Sequence, residues 1–330
     1  TVPDAEAPAE DVLPDENIGD TTEITDDMSE EEEFEEEESE LGTYELDNGG
    51  SSLNNAIYKN LGTEYHASFS SQGTHWYRFS IPTQGKITAT LKHSYSESSN
   101  PFAYISFYNA DGTQVAGACS SAYNSMTTDF PSVGVDRGTY YLKIERNYNS
   151  NTSSFDFTIN YSKDFYCETE LNDTLDTADS ISAGQTYNGR INGYNDHDYY
   201  KITAPANGYY SFSFSHDYYA NTLGWVVCFY NSNMQLLYTQ SFEQNKSNLT
   251  GLIIPVTAGV HYLRVTSIYI SSTPNKPYSF SLNFKADNTY EKEPNNTLDQ
   301  ATPVPLNTPF HGVLLTRDVS YPNDWFKFTA

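Results

Sequence analysis

Cations, cysteines and long apolar runs are all scarce in this chain of 330 residues. Lys and Arg number 17 against 44 Asp and Glu. So few bases, none of them clustered, exclude the phosphate-neutralising surface that nucleic acid or an anionic membrane requires. The three cysteines, Cys119, Cys167 and Cys228, have no repeated spacing. They spell neither a disulfide framework nor a zinc site, and read as small buried side chains. No apolar run approaches the roughly 20 residues of a membrane span, so no membrane insertion is expected here. The chain opens without Met and without a signal peptide, as expected where a leader or upstream segment has been trimmed.

Catalytic signatures are lacking too. The seven His (His66, His75, His93, His197, His216, His261 and His311) are scattered. Neither His-Glu-x-x-His nor Gly-x-Ser-x-Gly occurs. His197, between Asp196 and Asp198, has no nucleophile beside it and reads as a turn residue. The expectation is a chain that is not an enzyme, although it would suit an appendage of a secreted hydrolase. Two carboxylates at the right separation would suffice for a glycosidase, and sequence alone leaves that alternative open.

What is abundant is acid at one end and tyrosine everywhere else. Residues 1–40 hold 19 Asp or Glu and no base, leaving 25 acids against 17 bases for the remainder. Such dense like charge cannot bury enough surface to offset chain entropy, so 1–42 is expected to be a disordered acidic spacer. Beyond it, 28 Tyr accompany Ser, Thr and Asn, a composition suited to pleated surfaces. Tyr77, Phe79 and Ile81 alternate with Arg78 and Ser80, and Phe155, Phe157, Ile159 and Tyr161 with Asp156, Thr158 and Asn160. Tyr210, Phe212 and Phe214 alternate with serines, and Tyr278, Phe280, Leu282 and Phe284 do likewise. This period of two, broken by turns such as Pro82–Gly85 and Pro205–Gly208, predicts an all-β chain of tandem antiparallel β-sandwiches.

The plan repeats. Tyr166-Cys167-Glu168-Thr169-Glu170-Leu171-Asn172-Asp173-Thr174 returns as Tyr290-Glu291-Lys292-Glu293-Pro294-Asn295-Asn296-Thr297. Asp198-Tyr199-Tyr200-Lys201 returns as Asp324-Trp325-Phe326-Lys327. Copies more than a hundred residues apart mean tandem domains, not a short-repeat solenoid. The expected division is 1–42 spacer, 43–163 first module, 164–287 second module, and 288–330 the start of a third. A sandwich of this kind takes about 120 residues. The third is therefore expected to belong to a longer protein, and to be poorly packed or to borrow a surface from the second.

The recurring acids suggest a metal. Glu168, Glu170, Asn172 and Asp173 offer only hard oxygen donors, and Asp196 and Asp198 precede a strand nearby. Glu291, Glu293, Asn295, Asn296 and Asp324 repeat the set. Calcium takes 6–8 oxygens in a flexible shell, whereas magnesium keeps several waters and zinc favours His or Cys. Residues at i and i+2 of an extended chain face one way, so each Glu pair can face one ion. The plainer alternative is a solvated linker whose Asn-Asp-Thr makes a turn or helix cap. The first module lacks the pattern: its matching stretch is Asp47-Asn48-Gly49-Gly50-Ser51-Ser52, and His75 stands where Asp198 does. No site is expected there.

These motifs in this order, ending in Phe-Tyr-Asn-x-x-Gly and Gly-x-Tyr-Tyr-Leu, resemble bacterial pre-peptidase C-terminal domains. The collagen-binding domains of clostridial collagenases are a similar module. The resemblance covers about 43–330 and implies jelly-roll-like sandwiches in secreted or surface-attached bacterial proteins, non-catalytic, with calcium held by the linker acids and strand-edge aspartates. Collagen binding does not carry over. The function expected is adhesion, spacing or substrate targeting by a monomer, toward an extracellular protein or polysaccharide. A carbohydrate-binding array is the alternative, with Trp76, Tyr199, Tyr209 and Tyr262 as an outward platform.

Overall fold

The computed structural model describes residues 46–69, 73–93, 102–116, 119–120, 127–130, 132–147, 154–192, 196–216, 224–242, 248–267, 276–314 and 323–330. The acidic spacer of 1–42 lies outside them. The first pair of sheets is built from β1 (Ile57–Tyr58), β2 (Glu64–Ser68), β3 (Thr74–Ile81), β4 (Gly85–His93), β5 (Ala103–Tyr108), β6 (Cys119–Ser120), β7 (Thr127–Asp129), β8 (Val133–Val135), β9 (Gly138–Arg146) and β10 (Ser154–Lys163). One sheet runs β1-β3-β9-β5-β6; the other runs β2-β10-β4-β7, with β8 also on β4. Alternation sets the core. Tyr77, Phe79 and Ile81 from one sheet meet Ile87, Ala89, Leu91, Phe155, Phe157 and Ile159 from the other, all buried. Side chains that alternate along a strand can fill only one face, so two such faces close on each other.

The second pair repeats this order. It comprises β11 (Asp179–Ser180), β12 (Thr186–Ile191), β13 (His197–Ala204), β14 (Gly208–His216), β15 (Trp225–Asn231), β16 (Leu236–Phe242), β17 (Asn248–Val256), β18 (Gly259–Ser267) and β19 (Lys276–Ala286). The sheets run β11-β13-β18-β15-β16 and β12-β19-β14-β17. Tyr200, Tyr210, Phe212, Phe214, Trp225, Phe229 and Phe280 fill the core. β15, apolar on both faces in sequence, lies between β18 and β16. Cys167 and Cys228 are buried and free; the side chain of Cys119 lies outside the described residues.

The third copy contributes β20 (Thr302–Pro303) and β21 (Phe326–Lys327), paired in parallel as β1 is with β3 and β11 with β13. Phe326 and Phe328 are 41% and 67% exposed, whereas Tyr77 and Tyr200, at the positions matching Phe326, are fully buried. Tyr290 meets Tyr209 of the second sandwich with ring centroids 4.5 Å apart. Among the described residues no helix is long and apolar enough to cross a membrane.

Candidate metal centre at the linkers

Each copy begins with a linker that runs onto its own sandwich through the same hydrogen bonds. The amides of Asp47, Glu168 and Glu291 donate to the carbonyls of His66, Asn188 and His311, each at 2.9 Å. The amides of Trp76, Tyr199 and Trp325 then donate to the carbonyls of Gly50, Asn172 and Asn295 at 2.9, 3.0 and 3.0 Å. These paired contacts define equivalent residues without reference to sequence. They also show that the first linker is one residue shorter between its two anchor points.

In the second copy the linker carries its acids into the sandwich edge. Glu168, Asn172 and Asp198 are buried, with 3%, 0% and 0% exposure. The Tyr200 and Tyr278 hydroxyls donate to Glu168 Oε2 at 3.3 and 3.2 Å, and lie 2.6 Å from each other. Tyr278 Oη also donates to Asp198 Oδ2. Asn192 holds Glu170 Oε1 through its side-chain amide and Asp196 Oδ2 through its backbone amide. Asp173 Oδ1 accepts the His197 amide at 3.0 Å. Gly189 makes the approach possible: a Cβ there would lie 2.3 Å from Tyr278 Oη and 2.6 Å from Glu168 Oε2.

The remaining oxygens are the informative ones. Asn172 spends its Nδ2 on Asp179 Oδ2 at 3.1 Å, and its Oδ1 has no hydrogen-bond partner. Asp196 Oδ1 and Asp198 Oδ1 are buried and unpartnered as well. An unpaired buried acceptor costs roughly 1–3 kcal/mol, so these three oxygens remain open to a donor or a cation. The carboxyls here also hold their protons tightly. Burial, with Asp196 close by, pushes Glu168 up to about 8. Burial, then the charges of Glu168 and Asp196, push Glu170 up to about 10. Burial and the same neighbours raise Asp198 well above the usual carboxylate range. Like charges in a low dielectric cannot all ionise without a counter-charge.

The third copy repeats the arrangement with fewer acids. One carboxylate oxygen each from Glu291, Glu293 and Asp324 lie within 4.8 Å of one another. Asn295, fully buried, gives its Nδ2 to Glu291 Oε2 at 2.9 Å and again keeps an unpartnered Oδ1. Burial raises Glu291, and burial together with Glu291 pushes Glu293 up to about 7. Asn296 stands exposed.

Sequence reasoning named the acids and amides but missed Asp179, Asn192 and Tyr278. Asp179 accepts the Thr169 amide at 2.8 Å as well as Asn172 Nδ2, and so aims the asparagine. In the third copy Thr302 takes that place, its Oγ1 accepting the Lys292 amide at 3.1 Å. Tyr278 is 110 residues from Glu168, and no local motif announces it. The glycine was detectable: Gly189 and Gly312 stand at the same offset from Glu168 and Glu291. Trp76, Tyr199, Tyr209 and Tyr262 are half-buried, with Trp76 against Tyr108 at 4.9 Å.

The linker also touches the preceding sandwich. Glu170 N donates to Gly134 O at 3.0 Å, Gln84 Nε2 to Cys167 O at 2.9 Å, and Lys86 pairs with Asp164 at 2.8 Å. A Cβ on Gly134 would lie 1.8 Å from Glu168 O. The linker at Glu168 and Glu170 therefore touches both sandwiches.

No family model matches the chain, and no curated protein does. Among solved structures, it is similar to the pre-peptidase C-terminal domain of collagenase from Bacillus anthracis, at 14% identity and a TM-score of 0.25, over 31% of this chain and 92% of that one. It is also similar to the CUB1-EGF-CUB2 domain of human MASP-1/3, at 11% identity and a TM-score of 0.22, over 68% of this chain and 100% of the other. A third is the M60 catalytic domain with the CBM51-1 and CBM51-2 domains from Clostridium perfringens ZmpB, at 8% identity and a TM-score of 0.21, over 68% and 34%. Scores this low carry no functional argument.

Proposed function

We propose that the chain is a non-catalytic module array of a secreted or cell-surface bacterial protein, in which calcium fixes the linker ahead of the second and third modules. The observation that carries this reading is the buried, unpartnered amide oxygen of Asn172, repeated at Asn295, whose side chain is bonded to Glu291 where Glu291, Glu293 and Asp324 converge. The donor set is all oxygen, which suits calcium rather than zinc. Bound there, the ion would supply the positive charge that lets these carboxylates ionise together. Glu168, Glu170, Asn172, Asp173, Asp196 and Asp198 would hold it in the second copy, and Glu291, Glu293, Asn295 and Asp324 in the third. Glu168 and Glu170 belong to the linker, while Asp196 and Asp198 belong to the edge of β13, so holding one ion ties linker to sandwich. The Glu170–Gly134 contact passes that restraint to the preceding module. Set spacing between modules serves presentation of a binding surface to an extracellular protein or polysaccharide.

Thermal unfolding of the whole chain in calcium and in chelator tests the reading. A rise of several degrees in calcium, lost on Glu170→Ala, is expected. No shift at millimolar calcium would refute it.

A further inference from the structure

The first linker lacks the carboxylate set, yet it is anchored by the same two hydrogen bonds. One acid survives: Asp47 occupies the place of Glu168 and Glu291, its amide on His66 O. Asp47 Oδ2 pairs with Lys59 Nζ, and each side chain is only 11% exposed. The ammonium lies 4.2 Å from the centroid of Tyr65 and 5.8 Å from that of Tyr77. Tyr77 matches Tyr200, whose hydroxyl binds Glu168, and the buried His75 that replaces Asp198 has its Nδ1 3.0 Å from the Tyr77 hydroxyl.

The residue at the position of Lys59 varies with the acids. The amides of Lys59, Ile181 and Val304 donate to the carbonyls of Arg78, Lys201 and Lys327 at 2.8, 2.9 and 2.9 Å, so these three are equivalent. Where the carboxylates and the buried asparagine are present, this position is Ile or Val. Where they are reduced to a single acid and Gly50, it is lysine. One acid needs one positive charge, and a lysine stem can bury along the aromatic rings while its head meets Asp47.

We infer that Lys59 is a resident cation that closes the first linker onto its sandwich, doing without metal what calcium does in the second and third copies. The comparison with calcium rests on the function proposed above; the Lys59–Asp47 closure stands on its own contacts. The array would then have one joint that is always shut and two whose closure follows calcium.

Hydrogen exchange of the full chain, followed by mass spectrometry in calcium and in chelator, separates the two ideas. Peptides covering 46–50 should exchange equally in both conditions, whereas peptides covering 168–172 should slow in calcium. Lys59→Met should speed exchange at Asp47 and Gly50 by about tenfold in both conditions, and Lys59→Arg should preserve protection. If Lys59→Met also opens β3 and β9, Asp47→Asn supplies the local test, with protection lost at 46–50 and kept in the core strands. Protection at 46–50 that rises with calcium, or that survives both Lys59→Met and Asp47→Asn, would overturn the inference. A flat response at 168–172, with 46–50 opening as described, would instead sink the calcium reading and leave the lysine closure standing.

Discussion

Gly189→Ala is the sharpest probe of the second site, because one methyl group is aimed at two of its oxygens. The added Cβ would stand 2.2 Å from Tyr278 Cζ and 2.6 Å from Glu168 Oε2. Inserting a methyl into a filled core costs roughly 1–3 kcal/mol. Moving Tyr278 aside also strips its hydroxyl from Tyr200, Glu168 and Asp198. Neutral hydrogen bonds contribute about 1 kcal/mol each, and those to charged groups somewhat more. The sum is about 3–5 kcal/mol, confined to the second sandwich. The first sandwich is the internal control, since its equivalent residue is Ala67, fully buried beside Phe155 rather than a tyrosine. Ala67→Gly should cost only about 1 kcal/mol, the usual penalty for glycine in a strand. Denaturant unfolding of the whole chain separates the two, because Trp225 reports the second core and Trp76 lies on β3 of the first. A loss below 1 kcal/mol for Gly189→Ala, or an equal loss at the Trp76 transition, would refute the reasoning.

Other outcomes follow from the same contacts. Calcium at a hundred times its dissociation constant should stabilise the second sandwich by about 2.7 kcal/mol, and Asn172→Ala should abolish most of this gain while Asn295→Ala leaves it intact; calorimetric titration checks both. Burial holds His75 down at about 4, so the folded first sandwich resists protonation that the unfolded chain, near 6.5, accepts. The unfolded state therefore binds more protons between these values, and about 3 kcal/mol should be present above pH 6.5 and lost progressively toward pH 4. Subtracting the pH profile of His75→Phe isolates that contribution, and identical profiles would exclude it. Gly134→Ala should expel the linker from the first sandwich. Chymotrypsin cleavage after the exposed Phe165 and Tyr166 should then quicken several-fold in calcium, and unchanged cleavage would show that the docking at Gly134 is dispensable.

Much of the fold was written in alternation. Tyr77-Arg78-Phe79-Ser80-Ile81 can bury only one face, and it does. The acid pairs were equally visible, since Glu168 and Glu170 are local and return at Glu291 and Glu293. What sequence could not show depends on register between distant strands. Tyr278 reaches Glu168 only because β19 lies beside β12. Asp179 meets Asn172 only because β11 runs parallel to β13. Lys59 carries no motif in the sequence, and only hydrogen bonds align it with Ile181 and Val304. The one-residue shortening of the first linker sets Gly50, not Ser51, opposite Asn172, which counting along the chain from Asp47 does not show.

Glu168 sits between two glycines from opposite sides of the junction, Gly134 against its carbonyl and Gly189 against its carboxylate. The unit that can be recombined is thus larger than a sandwich. A second module grafted behind a foreign domain would carry its own Gly189 but would leave Gly134 behind, and a host with any side chain at that spot would hold the linker off. Portability of these modules therefore depends on a residue that belongs to the preceding neighbour, and a successful chimera must include it.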